Sequence, residues 1–453
     1  MSLGAQIEGF LRQASLTAKH KLKIAESIRL QAIIITPEKQ ITAIGVELFT
    51  EVADFIRSRR ETLAIRLRLQ PGVYFDHIVP FRDDLTIQVV ADTEDERLVR
   101  EFTAIPMVDR DLRAEGQLST ASNLKAYDNV SFSSYEFQLM DRGFAKLRNI
   151  PISDNYLMAN PGEVLSLVLD NITKEVDFGS APKYKGLYMH KPVDNINNYP
   201  QVTIPYGTRL VDLPLILQNH NEYGIYSKGL GAFYKQNYWW VYPLFNTNLA
   251  DTHHRPIDII RVPQDKIPSL DYTFYKSDVS LTIIATGEAY QTDGADIRKQ
   301  TKGVGKRIIM GSAIAGETGY NYKNGRGVIT RADTMQEYKL SDRRSGDEYI
   351  PVDHEPTGNT CAALSLNAMN EGEMVEVEWH NGDTGYLEPG HPLRYQYLGE
   401  NNTMIVRRGV LLGYRTDFKP VQNGPAPQFK RTCVLQLFLK RQARYNSDQQ
   451  ETS

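Results

Sequence analysis

The sequence predicts a β-rich α+β protein in which two small β-barrel-like domains flank a mixed, aromatic-rich middle domain. Three observations carry that expectation. Apolar alternation recurs near both ends of the chain, at 63–69 and 135–139 and again at 374–379 and 433–439. Helix-period patterns are few by comparison. Between the two β-rich regions, residues 198–245 concentrate seven tyrosines, two phenylalanines and the pair Trp239-Trp240, against an aromatic share of 10% in the whole chain. Each buried aromatic removes about 150–250 Å² from water, so this stretch reads as a packing or docking module.

Length and composition bound the rest. A chain of 453 residues is too long for one ordinary core and suggests roughly three domains of about 150 residues. With 41% hydrophobic and 24% charged residues the composition is that of a soluble globular protein. Net charge is −3 and the two signs are interleaved, which argues against duplex nucleic acid as the main partner. Cys361 and Cys433 are too few for a disulfide framework or a zinc site, and read as buried thiols in a reducing compartment. No apolar run approaches the roughly 20 residues that span a bilayer, and residues 1–15 carry no signal-peptide core.

In chain order, residues 1–26 hold an amphipathic helix with Leu3, Ile7, Phe10, Leu11 and Ala14 on one stripe and a basic C-terminal end. The first β domain is expected over 27–150. Gln31–Thr36 opens it, a helix carrying Ile41, Ile44, Leu48, Val52, Phe55 and Ile56 is expected over 38–58, and strands follow at Leu63–Leu69, Leu85–Val89, Leu98–Met107 and within Val130–Leu139. On the 63–69 strand the leucines and Ile65 share one face, and Arg66 and Arg68 share the other. The middle domain, 151–276, is expected to hold a helix from Gly162 to Lys174 started by Pro161, preceded by a short one over Asp141–Asn149. A polar loop (178–198) leads to a strand at Gln201–Ile204, a turn at 205–208, a helix over 209–218 and an aromatic hairpin. Leu249–Pro268 reads as an extended, proline-broken connection. Residues 277–372 comprise a strand at Val279–Ala285 and a glycine-rich loop or hairpin arm over 286–350. The C-terminal part of the second β domain spans 373–442. It has strands at Met374–Trp379, Leu393–Leu398, Thr403–Arg408, Val410–Thr416 and Cys433–Leu439, and Asn381-Gly382 is its strongest hairpin signal. A polar tail covers 443–453.

Each pattern that could carry chemistry has a plainer explanation. Glu376, Glu378 and His380 share a strand face with Asp383 beyond, but same-face neighbours lie about 6.5–7 Å apart, too wide for direct chelation. The neighbours in Asp251, His253 and His254, and in Asp353-His354-Glu355, point to opposite sides of an extended chain. Gly303-Val304-Gly305-Lys306 lacks the phosphate-loop spacing, and Arg307 stands where Ser or Thr should follow the lysine. There is no nucleophile elbow, and Cys361 has no histidine at a recognisable spacing. The sequence therefore assigns no catalytic, cofactor-binding or metal-ligating residue, and no cofactor. A protein that acts by shape and contact is expected, not an enzyme.

Gln201–Leu213 (QVTIPYGTRLVDL), Tyr223-Gly224-Ile225-Tyr226 and Tyr238–Phe245 (YWWVYPLF) resemble the baseplate hub proteins of contractile-tailed bacteriophages. Val79–Leu85, Tyr135–Arg142, Val375–Gly390 and Arg408–Leu411 share the resemblance more loosely. It implies a homotrimeric ring on the tail axis, with two tube-like β domains per chain presenting a pseudo-sixfold face to the hexameric tail tube and the spike at the other end. By this likeness the first tube domain is 27–150 and the second combines 277–290 with 373–442. The middle segment meets other baseplate subunits, Arg66 and Arg68 face a lumen or a subunit boundary, and the protein belongs to the virion after assembly in the host cytoplasm. No membrane insertion of its own is implied. The glycine-rich 286–350 segment has no counterpart in the resemblance. Two alternatives stand beside it: another tail or baseplate subunit, such as a wedge or tube initiator, and a polysaccharide-binding or -cleaving tail protein. The latter would use Trp239, Trp240, Tyr234 and Tyr238 as a sugar platform.

Overall fold

The computed structural model describes residues 28–92, 97–107, 132–251, 253, 255–262, 274–276, 281–292, 305–312, 317–321, 327–330, 335–339, 359–370, 372–398, 404–421 and 428–440. The N-terminal helix expected over 1–26, the Asp353-His354-Glu355 triplet, His254 and the polar tail lie outside these residues.

The protein is β-rich with a large mixed sheet. Its first part holds β1 (Ile28–Ile35), β2 (Gln40–Thr42), β3 (Gly45–Asp54), β4 (Thr62–Arg68), β5 (Leu85–Asp92), β6 (Arg97–Met107) and β7 (Ser134–Asp141). The middle holds α1 (Arg142–Leu147), β8 (Pro151–Ala159), α2 (Pro161–Glu175), β9 (Gly186–Met189), β10 (Tyr199–Arg209), α3 (Leu213–Gln218), β11 (Leu230–Lys235) and β12 (Tyr238–Pro243). Then come β13 (Ile257–Arg261), β14 (Phe274–Lys276), β15 (Leu281–Thr292), β16 (Gly305–Ser312), β17 (Glu317–Asn321), β18 (Gly327–Thr330) and β19 (Met335–Lys339). The chain closes with α4 (Thr360–Asn370), β20 (Gly372–His380), β21 (Pro392–Leu398), β22 (Met404–Pro420) and β23 (Gln428–Lys440).

Fourteen strands form the main sheet, and their pairings return on themselves twice. One circuit runs β1–β5–β6–β7–β4–β3–β22–β23 and back to β1, where Ile28 lies opposite Phe429. The other runs β13–β21–β22–β23–β20–β15 and returns to β13. The β22–β23 pair belongs to both. Each circuit has its own apolar core. Ile34, Ile65, Ile87, Phe137 and Phe429 are buried in the first, and Ile259, Ile283, Trp379, Leu393 and Leu437 in the second. The alternation on β4 is as the sequence predicts: Leu63, Ile65 and Leu67 are buried, and Arg66 and Arg68 point the other way.

Five local expectations need correction. Residues 38–58 form β2 and β3 instead of a helix. A register shift between Val46 and Leu48 breaks the period-two pattern, so the buried set becomes Val46, Phe49, Glu51, Ala53 and Phe55. Ile44 and Val52, which supported the helical stripe, are each 36% exposed. Second, Asn381-Gly382 does not join a hairpin: β20 pairs with β15 and β23, and the chain crosses over a 3-10 turn at Thr384–Tyr386 to β21. Third, the two strands expected over 403–416 are one, β22, which runs unbroken through Gly409. A Cβ at Gly409 would lie 2.5 Å from the Phe438 carbonyl oxygen, so this glycine permits close strand approach and does not end a strand. Fourth, the stretch read as an extended connection contains β13, paired in parallel with β15 and β21. In the middle part the turn expected at 205–208 is a bulge within β10, where the register shifts between Ile204 and Thr208.

The third core belongs to the middle part, where α2 and the β11–β12 hairpin bury Val164, Leu165, Leu169, Ala232, Tyr234 and Trp239 together. Asn160 starts α2 as expected of an N-cap, accepting from the backbone N–H of Gly162 and Glu163 at 2.9 and 3.3 Å. Its amide also donates to the carbonyls of Asn195 and Asn197, clasping the neighbouring loop. Asn160→Ala is expected to cost about 1–3 kcal/mol, the loss of a cap plus carbonyls left without a donor, read as a lower urea midpoint at unchanged m. The glycine-rich arm carries β16–β19 as a four-stranded antiparallel unit, with order β18–β17–β16–β19.

Candidate functional site

The aromatic stretch does not build a sugar platform from its four expected members. The β11–β12 hairpin turns at Gln236-Asn237, both with positive φ (54° and 69°), the geometry of a tight two-residue turn. Alternation then sends Tyr234 and Trp239 into the core and Tyr238 and Trp240 to the other face. Trp239 is 0% exposed and donates its indole N–H to Thr173 Oγ1 at 3.1 Å. Trp240 stacks on Tyr188 at 4.6 Å between ring centroids. Sequence reading had not placed Tyr188 there, because it arrives on β9, a strand inside the expected polar loop.

The residues weighed for metal or acid–base chemistry sit where a strand face places them. Glu376, Glu378 and His380 share one face of β20. Glu376 accepts from the Gln436 amide at 3.1 Å, and Glu378 lies 3.7 Å from the His380 ring. Asp383 caps the 384–386 turn by accepting from the Gly385 N–H. Asp251 pairs with Arg408 at 2.8 Å, while the His253 ring lies 5.3 Å from that of His391. Among the described residues no group of three or more His, Cys, Asp or Glu is placed to hold a metal ion. Burial pushes the Cys361 thiol up to about 11 and the Cys433 thiol up to about 12, the opposite of what a nucleophilic thiolate needs.

The most elaborate polar constellation was not legible in the sequence. It lies where the two circuits and the aromatic hairpin meet. Lys235, 6% exposed at the end of β11, donates from Nζ to the carbonyl oxygens of Thr384 and Leu387 at 2.8 and 2.7 Å and to Tyr414 Oη at 2.8 Å. Those three partners use all three ammonium protons. Glu61 Oε1 lies 3.6 Å from the same nitrogen and accepts a short hydrogen bond from Tyr414 Oη. Arg100, on β6, bridges Glu51 at 2.5 Å and Glu61 at 3.5 Å. Burial alone would raise the Glu61 carboxyl. The charges of Lys235 and Arg100, with the hydrogen bond from Tyr414, overcome that and hold it below the usual carboxylate value. Burial and the two nearby carboxylates push Tyr414 well above its ordinary value, so it remains a donor. Two acids, two bases and one phenol thus form a junction of zero net charge. Its lysine and both carboxylates are spent on partners within the junction, so its work is to hold parts together.

Outward-facing apolar groups gather on the middle part. The β8–β10 ribbon is a separate two-stranded sheet. Leu157 and Met158 on it are 73% and 68% exposed, Tyr206 in its bulge is 97% exposed, and Val193 and Ile196 flank Asn195 of the clasped loop at 70% and 76%. Met158 has φ of 49°, an unfavourable conformation for a side chain of this kind. On β4, Arg66 pairs with Glu136 at 3.2 Å, and the Arg68 guanidinium lies 6.0 Å from the Phe132 ring centroid, both on the face away from the first core.

No protein-family model matches the chain, and no curated protein does. Among solved structures it is similar to a tail protein from Neisseria meningitidis, at 11% identity and a TM-score of 0.42 over 90% of this chain and 96% of that one. It is also similar to the 43 kDa tail protein of a prophage from Shewanella oneidensis, at 9% identity and a TM-score of 0.45 over 90% and 97% of the two chains. A lidded Francisella PdpA–VgrG complex gives 10% identity and a TM-score of 0.34 over 96% of this chain and 56% of that one.

Proposed function

We propose that this protein is a structural subunit of a phage tail baseplate: a hub that joins the tail tube to the central spike and forms part of the axial channel. The observation that carries the proposal is the double circuit of strands. Two β units side by side in one chain are what a threefold ring needs in order to offer six similar units to a hexameric tube. The sequence resemblance of the 201–213 and 238–245 strings supports the same reading. In this proposal the two circuits are the tube-like domains, the protein acts as a homotrimer within the virion, and no catalysis is involved. Arg66 and Arg68, on the outward face of the first circuit, border the lumen or the neighbouring subunit. The exposed apolar residues of the β8–β10 ribbon meet other baseplate subunits.

The deciding experiment is light scattering on the purified protein together with electron-microscope images, with and without the spike protein. A threefold ring with an axial hole is expected, in the presence of the spike if not before. A species that stays monomeric with the spike present, or that closes with another symmetry, would rule out the hub and leave a wedge or tube-initiator subunit. Glu376→Gln with Glu378→Gln is expected to leave assembly unchanged.

A further inference from the structure

Three oxygen atoms converge beside Gly143, and two of them have no hydrogen-bonding partner among the described residues. Tyr234, only 2% exposed, ends in a hydroxyl without a partner, and Asn237 presents its buried Oδ1 likewise. A Cβ built on Gly143 would lie 3.0 Å from Tyr234 Oη, 3.1 Å from Asp141 Oδ1 and 3.5 Å from Asn237 Oδ1. The three groups come from different parts of the chain. Asp141 ends β7, Tyr234 lies on β11, and Asn237 lies in the hairpin turn with a left-handed backbone that fixes its direction.

Buried hydroxyl and amide groups are costly to leave unmade, and protein interiors satisfy such groups with ordered water when a site is polar and offers about two to four partners. We infer that the niche at Gly143 is a binding site for one structural water molecule, which donates to Asn237 Oδ1 and Asp141 and accepts from Tyr234 Oη. The same place would suit a small cation by its oxygen count alone. Local charge decides against that. The Arg60 guanidinium lies 5.7 Å from the centroid of the adjacent Phe144 ring, and Arg148 reaches Met140 from the end of α1. Arg60 supplies positive charge beside Asp141, Arg148 beside Arg60, and Arg100 acts on Asp141 as well, against the negative charge of Glu61; Asp141 Oδ1 also accepts from the Phe144 N–H at 2.9 Å. A neutral ligand that both donates and accepts fits this surrounding, and a further cation does not.

The niche also explains the glycine. A methyl group at 143 would point at the three oxygens and take the place of the molecule that joins them. The water thereby ties the aromatic hairpin to the end of the first circuit, beside the Arg60–Tyr234 bridge and the hydrogen bond from Tyr234 N to Arg59 O.

The sign of one substitution tests this. If Tyr234 Oη is bridged by water, Tyr234→Phe removes a satisfied group and lowers the thermal midpoint of the full-length protein. An unchanged or higher midpoint is the result for a hydroxyl buried without a partner, and overturns the inference. A crystal structure that resolves ordered solvent is expected to show a peak at about 2.5–3.2 Å from both Tyr234 Oη and Asn237 Oδ1, absent in Tyr234→Phe. Direct bonding of Tyr234 Oη to protein, no peak, or a peak with the octahedral, shorter contacts of a metal ion would each overturn it.

Discussion

Lys235→Met is expected to lower the unfolding free energy by about 3–5 kcal/mol, the usual cost of removing one partner from a buried charge network. The loss has two sources. Glu61 would keep its burial and lose one of its two cations, and the carbonyls of Thr384 and Leu387 would lose their donor. Urea denaturation followed by tryptophan fluorescence measures it, because Trp239 and Trp379 are both fully buried. A cost below about 1 kcal/mol, the range of exposed ion pairs, would show that the junction is not a unit. The network also sets a pH dependence. Glu61 titrates lower in the folded protein than its ordinary 4.5. Its contribution is therefore present above that ordinary value and disappears as pH falls through the folded one. Acid should loosen the wild type in that window, and Glu61→Gln should flatten this part of the curve.

The second large effect is expected at Gly390. Its φ is +68°, and a Cβ there would sit 2.1 to 2.6 Å from three atoms of the Tyr242 ring. The same ring is approached from Gly231, where a Cβ would come within 2.4 Å. Tyr242 is thus held between two positions that have no room for a side chain. Gly390→Ala combines a left-handed alanine, roughly 1–2 kcal/mol, with overpacking of a buried ring, about 1–3 kcal/mol. A total of about 2–5 kcal/mol is expected. Gly390→Ala combined with Tyr242→Ala should recover the overpacking component only, and a recovery of the whole cost would show that backbone strain contributes nothing.

Much of the strand content could be read from the sequence, because half-buried strands show their alternation directly. Leu63, Ile65 and Leu67 on β4 and Tyr135, Phe137 and Leu139 on β7 are clear cases. Reading failed where a second influence broke the period. The bulge after Val46 imitated a helical stripe, and the close approach at Gly409 imitated a strand end. α4 went unread although Ala362, Ala363, Leu364 and Ala368 favour a helix and Asn359 caps it, accepting from the Ala362 N–H at 2.9 Å. The charged junction was hidden for another reason. Glu61 and Tyr414 are 353 residues apart in sequence, and no local pattern reports a contact at that range. One signal was available: Lys235 is the lone charged residue between Gly229 and Phe245, inside an aromatic hairpin that has no solvent for it. A lysine so placed needs carboxylate and carbonyl partners from elsewhere.

The shared β22–β23 pair sets an order of events during synthesis. Neither circuit can close until residues 404–440 have left the ribosome, because β3 finds its second neighbour in β22 and β1 its second long neighbour in β23. Until then the nascent chain exposes the open flanks of β1 and β3, the kind of edge that recruits other chains. Translation of the last two strands is therefore the step that converts an adhesive intermediate into a sealed one, and both circuits are completed by the same event.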